Sequence, residues 1–147
     1  MIEIMQMSAA HVCEVASLEK VCFSDPWSER SISGELDNPL ALWLVAKIDN
    51  KVVGYIGSQS VMGEADMMNL AVDPDFRCRG IGAELVTALL AYLQERGVSS
   101  LTLEVLQSNE KAKRLYSRLG FSEIGRRPNY YRNPREDALI LRKEWSI

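Results

Sequence analysis

The sequence predicts an α/β fold, a mixed sheet flanked by helices, and three observations carry that reading. Ile81, Leu85, Val86, Leu89, Leu90 and Leu93 recur at helical spacing and define one apolar stripe. Leu101-Thr102-Leu103-Glu104-Val105-Leu106 alternates faces as a strand does, which puts Glu104 on one side with Thr102 and Leu106. Leu42 to Ile48 and Val52 to Val61 are strand-like runs joined at Asp49-Asn50, a pair suited to a tight turn.

The remaining elements follow in chain order. Ile2 to Met5 reads as a first strand, and Ser8 as the N-cap of a helix that runs to about Cys22. Asp25-Pro26-Trp27 breaks the chain before Ser28, which caps a second helix through Leu36. After the two hairpin strands, Met67 to Val72 is the next strand and Asp73-Pro74-Asp75 a turn. The long helix starts near Gly80 and closes at Gly97. Asn109 caps a helix whose Ala112, Leu115, Tyr116 and Leu119 share a face, with Gly120 as its stop, so Tyr116 points inward. Phe121 to Gly125 and Ala138 to Arg142 supply the last two strands.

At 147 residues, 47% hydrophobic and 25% charged, the chain is expected to form one domain over 1–147 without help from disulfides or metals. No basic stretch precedes a long apolar run at Met1 to Met5, and no segment approaches spanning length, so a cytoplasmic protein with no membrane partner is expected. Cys13, Cys22 and Cys78 lack paired spacing, which speaks against a disulfide framework or a zinc site. The lone His11 reads as solvated surface on a helix, leaving metal catalysis and Ser-His or Cys-His nucleophiles without parts. A net charge of −3 disfavours direct nucleic-acid binding and leaves room for a basic peptide partner.

Chemistry begins at Arg77-Cys78-Arg79-Gly80-Ile81-Gly82-Ala83. The order strand, turn, glycine loop, helix exposes unpaired helix-start amides and the positive end of the helix dipole, a setting for a phosphate. A dinucleotide fingerprint starting at Gly80 would need glycine at position 85, where the chain has Leu85, and no Gly-Lys pair exists for a P-loop. The alternative is that the two glycines only tighten a strand-to-helix connection. Cys78 lies within the loop and reads as oxidisable but incidental to catalysis.

Arg77-x-x-Gly80-x-Gly82 resembles the acetyl-CoA signature of the GNAT acetyltransferase superfamily, and Asn109 to Phe121, with its Asn, Ala, Leu-Tyr and Gly-Phe, resembles that family's later motif. More narrowly, the chain is similar over nearly its whole length to the RimI-type ribosomal-protein-alanine N-acetyltransferases. The closer likeness rests on Cys22-Phe23, Pro26-Trp27-Ser28, Asn69 to Pro74, Leu103-Glu104-Val105, Arg127, Asn129-Tyr130-Tyr131 and Arg135 to Ala138. The resemblance implies the GNAT fold, with a mixed, mostly antiparallel sheet. It also implies acetyl-CoA as cosubstrate, held by Leu70, Ala71 and Val72 along the pantetheine arm, by Arg77, Cys78, Arg79, Gly80, Ile81, Gly82 and Ala83 at the pyrophosphate, and by Asn109.

Acetyl transfer from a thioester to an amine needs a proton acceptor, stabilisation of an oxyanion and a proton for the departing thiolate. The resemblance implies Glu104 as the acceptor, where partial desolvation suits a base, and Tyr116 as the donor. Without it, the residues favour a carboxylate on an exposed strand face for Glu104 and simple core packing for Tyr116. Trp27, Tyr130 and Tyr131 are candidates to wall an acceptor pocket, and Glu29, Glu35, Glu64 and Asp66 to meet a basic peptide; core aromatics and solvated acids are the competing reading. The expected activity is direct transfer from acetyl-CoA to the N-terminal alanine of a small-subunit ribosomal protein, by a monomer or weak oligomer. Lysine or small-amine acetylation, and a non-catalytic acyl-CoA-binding docking module, stand as alternatives.

Overall fold

The computed structural model describes residues 1–132 and 135–146. Among these, seven strands form one sheet: β1 (Glu3–Gln6), β2 (Ala41–Ile48), β3 (Lys51–Val61), β4 (Glu64–Val72), β5 (Ser100–Leu106), β6 (Ser122–Arg132) and β7 (Arg135–Glu144). They lie in the order β1-β2-β3-β4-β5-β7-β6, antiparallel throughout except between β4 and β5. Four α-helices cover the sheet: α1 (Val12–Cys22), α2 (Glu29–Glu35), α3 (Ile81–Glu95) and α4 (Glu110–Arg118). None of them is long and apolar enough to cross a membrane.

Alternation along the strands divides the core into two layers. Leu42, Leu44 and Ala46 of β2 face α3 and Tyr116 of α4, while Trp43 and Val45 face α1 and Ile32 of α2. Asp49 and Asn50 both adopt the left-handed conformation between β2 and β3, as a two-residue hairpin turn requires. Met62 and Gly63 do the same between β3 and β4, so β4 starts at Glu64, three residues before the sequence-based boundary. The last two strands also extend past their expected limits, because their pairing continues through Tyr131↔Glu136 and Arg132↔Arg135.

His11 departs from the sequence reading. It is buried, accepts a hydrogen bond on Nδ1 from the Ser8 N–H at 3.0 Å, and closes a short 3-10 turn ahead of α1. It therefore belongs to the helix start and not to the solvated face.

Two irregularities open the sheet where function is expected. β4 and β5 pair only over Glu64↔Ser100, Ala65↔Leu101 and Asp66↔Thr102 and then part company. On the other side of β4 the register jumps from Gly57↔Asn69 to Ser58↔Met67, leaving Met68 as a bulge residue at the start of the split.

Candidate active site

The split leaves one edge of β4 without a strand partner from Met67 to Val72. The Asp73 N–H donates to the Val53 carbonyl at 2.8 Å, which makes 53/73 a hydrogen-bonded pair. By antiparallel alternation Ala71 then bonds to Tyr55, whereas the peptide groups of Leu70 and Val72 point away from β3 into the split. The Val72 carbonyl is taken up there by Arg77 Nε at 3.2 Å and by the Cys22 thiol at 3.8 Å. Of the three residues expected to pair with an extended ligand, Leu70 and Val72 therefore offer backbone groups. The Ala71 groups are committed to the sheet.

A cavity of about 560 Å³ lies beside this edge. Its lining includes Leu70, Ala71, Val72, Arg77, Cys78, Gly80, Ile81, Gly82, Ala83 and Asn109, so ten of the eleven residues named from sequence for a cofactor converge on one space. Arg79 is not among the lining residues; its guanidinium lies over the Phe76 ring at 5.0 Å. Gly80 caps α3 with φ +79°, a conformation that costs a side-chain-bearing residue about 1 to 2 kcal/mol. Lys111 and Arg118 of α4 join Arg77 in the lining, and no carboxylate does. A chain of net charge −3 thus places three cationic side chains and, among the described residues, no carboxylate around this cavity at a helix N-terminus.

Sequence reading missed Lys111 and Arg118. Their spacing of seven on α4 puts both on the side that faces the loop, which was the available signal. Lys111 Nζ also donates to Cys78 Sγ at 3.2 Å, tying α4 to the loop.

A second cavity, about 690 Å³, continues from the first, and the two share Cys22, Phe23, Leu70, Asn109, Ala112 and Leu115. Glu104, Tyr116, Tyr130 and Tyr131 all line it. Glu104 stands on the face of β5 opposite Leu103 and Val105, partly open to solvent, and its Oε1 lies 3.6 Å from Arg127 Nη2. Arg127 in turn lies over the Tyr130 ring at 5.4 Å, and Tyr130 meets Tyr131 edge-on at 5.2 Å. Burial raises the Tyr131 hydroxyl pKa, with the Glu104 charge adding to the shift.

Tyr116 is only 3% exposed and packs edge-on against Phe121 at 5.4 Å. Burial pushes its hydroxyl up to about 12, so it holds its proton at neutral pH. Asn109 Oδ1 accepts from the Ala112 N–H at 3.1 Å, so its helix-capping role is real and coexists with its place at the junction of the cavities.

Other sequence candidates lie elsewhere. Trp27 lines neither cavity, because its ring packs edge-on against Trp43 at 5.4 Å. Glu35 is occupied by Trp43 Nε1, Gln59 and Asn38 at 2.7 to 3.1 Å, and Glu64 pairs with Arg142 at 2.7 Å. Neither they nor Glu29 and Asp66 line the second cavity. Acids of the sequence that stood as peptide contacts are thus held by internal partners or lie off the cavity.

Residues 12–121 match the acetyltransferase (GNAT) family. The chain is similar to the ribosomal protein bS18-alanine N-acetyltransferase of Haemophilus ducreyi, 40% identical over 129 residues that cover 84% of this chain and 87% of that one. The enzyme of the same name from Escherichia coli K12 is 36% identical over 126 residues, 84% of each chain. In three dimensions the fold superposes on the crystal structure of the Escherichia coli ribosomal-protein-S18-alanine N-acetyltransferase with a TM-score of 0.91 at 34% identity, covering 100% of this chain and 96% of that one.

Proposed function

The chain belongs to the GNAT acetyltransferase family, and on that premise we propose that it transfers the acetyl group of acetyl-CoA to the N-terminal alanine of a small-subunit ribosomal protein in the cytoplasm. The observation that carries this reading is the meeting of two cavities at the split between β4 and β5. One has cations and helix-start amides; the other has a carboxylate and a protonated phenol. The names of the relatives at 36 to 40% identity support the acceptor.

Arg77, Lys111 and Arg118 suit the phosphates of acetyl-CoA, together with the amides of the Gly80 to Ala83 turn. The outward peptide groups of Leu70 and Val72 would extend the sheet onto the pantetheine arm, and an amide from this edge would stabilise the oxygen on which negative charge develops. The acceptor amine enters through the second cavity. An α-amine has a pKa of roughly 7.7 to 8.0, so Glu104 removes a proton that is already weakly held near neutral pH. The amine then attacks directly, without an acyl-enzyme.

Tyr116 would act on the departing sulfur. A thiolate has a conjugate-acid pKa of roughly 8.5, well below the value of about 12 at Tyr116. Tyr116 therefore shares its proton by hydrogen bonding as charge builds and does not surrender it beforehand. A basic peptide is matched to the overall negative charge of −3.

The test is acetyl transfer from acetyl-CoA to an alanine-initiated basic peptide, beside a lysine-containing peptide with a blocked N-terminus. Transfer to the first alone is expected. Transfer to the second alone would overturn the acceptor assignment, and cofactor binding without transfer to either would make the protein a docking module.

A further inference from the structure

One buried acidic residue has no part in the chemistry above. Glu19 of α1 is fully buried, yet no cation pairs with it among the described residues. A carboxylate removed from water without compensation costs several kcal/mol, so its hydrogen-bond partners must hold it. There are three. Oε1 accepts from the Trp27 backbone N–H at 2.8 Å, and Oε2 accepts from Asn69 Nδ2 at 2.7 Å and from the Tyr55 hydroxyl.

Each of these partners belongs to a different segment. Trp27 lies in the 23–28 connection that leaves α1, and two residues of that stretch, Phe23 and Ser24, line the acceptor cavity beside Cys22 at the end of α1. Asn69 lines the same cavity, follows the bulge residue Met68, and precedes Leu70, whose peptide group points into the split. Tyr55 belongs to β3, stacks on Trp43, and anchors the cluster to the middle of the sheet. One carboxylate thus joins the wall of the acceptor cavity to the bulge from which β4 turns into the split.

We propose that Glu19 is a positioning residue that fixes the 23–28 connection against Asn69 and thereby sets where the acceptor amine meets the thioester. The proposal rests on the acceptor reading above for its kinetic consequence, while its structural consequence stands apart from it. Two acceptor oxygens are needed at one buried point, and a carboxylate supplies them on a single side chain. An amide can do nearly the same: Gln at 19 keeps one oxygen for the Trp27 N–H and, with the Asn69 amide turned over, donates to Asn69 Oδ1. Leucine has a similar volume and can do neither.

The experiment compares Glu19→Leu and Glu19→Gln with the native protein. Glu19→Leu is expected to raise KM for the acceptor peptide and lower kcat by on the order of 10- to 100-fold in all, the scale of an ångström-sized misplacement. Acetyl-CoA affinity, set chiefly by the cations and amides around the 77–83 loop, changes least, and Glu19→Gln recovers most of the loss. A purely structural role would reduce the amount of active enzyme and leave both constants native. Native constants in folded Glu19→Leu, or a Gln variant as impaired as Leu, would overturn the proposal.

Hydrogen exchange of the 23–28 and 67–70 segments gives a readout without an acceptor. Faster exchange confined to both is expected in Glu19→Leu, and unchanged or uniformly faster exchange would overturn the proposal. If the native enzyme transfers nothing to the peptide, the acceptor reading fails and exchange alone decides the role of Glu19. Should Glu19→Leu fail to fold, Asn69→Ala removes one arm of the network and carries the same two expectations.

Discussion

Replacing Tyr116 by phenylalanine removes one oxygen from a residue that is 3% exposed and leaves its ring in place against Phe121. With its hydroxyl pushed up to about 12, Tyr116 keeps its proton across the range in which an α-amine, of pKa roughly 7.7 to 8.0, loses its own. The variant therefore loses a donor that is present at every working pH. Loss of a positioned proton donor costs about 10² to 10⁴ in kcat, which corresponds to about 2.7 to 5.4 kcal/mol in the barrier. Folding stability should change by no more than about 1 kcal/mol, since the apolar burial is kept and one hydroxyl is lost. Thiol release measured continuously gives kcat, and equilibrium titration gives acetyl-CoA affinity; the loss is expected in kcat with affinity retained. In the native enzyme kcat/KM should rise through the amine pKa and stay level through pH about 10, where an ordinary tyrosine would begin to ionise. An unchanged kcat in Tyr116→Phe, or a loss that lies wholly in acetyl-CoA affinity, would refute the assignment.

Three other outcomes are expected. Lys111→Ala should weaken acetyl-CoA binding on the order of tenfold by removing a charged hydrogen-bond donor from the cation-lined cavity, and the difference from native should shrink as salt is added. A Cβ at Gly57 would lie 2.4 Å from the buried Trp43 ring, so Gly57→Ala should destabilise by about 1 to 3 kcal/mol in denaturant titration; native stability would show that the ring can move. Burial, aided by the Lys47 charge, holds His11 below its ordinary value of 6.5. Its contribution to stability is therefore complete above pH 6.5 and is lost as pH falls through the lower folded value. His11→Asn, which keeps an acceptor for the Ser8 N–H, should flatten that acid-side decline.

Much of the architecture was legible because periodicity and turn chemistry agreed. The α3 stripe from Ile81 to Leu93, the Asp49-Asn50 turn and the Ser28 and Asn109 caps all stand where the sequence puts them. The ends of β4, β6 and β7 were not legible, since strands stop where pairing stops and pairing lies in the partner's sequence as much as their own. His11 misled because a polar residue at a helix start was read by type, whereas a capping contact buried it.

The cofactor-side residues from Leu70 to Ala83 converge because they are local to one strand, turn and helix. Lys111 and Arg118 arrive from α4, across the split, and only the tertiary fold brings them there. Glu19 had a visible signal. It occupies the seventh place after Val12 on the stripe that also contains Val15 and Ala16, a charge among core positions. Its partners at Tyr55 and Asn69 are 36 and 50 residues away, so the reason for that charge could not be read locally.

The central claim, transfer to an α-amine at an alanine N-terminus, is tested most directly by locating the acetyl group. A basic peptide with a free N-terminal alanine and an internal lysine is incubated with the enzyme and acetyl-CoA, then sequenced by fragmentation mass spectrometry. The proposed function, with Glu104 and Tyr116 acting from one cavity, predicts acetylation of the alanine nitrogen alone. Acetyl groups on the lysine with the alanine left free would contradict it.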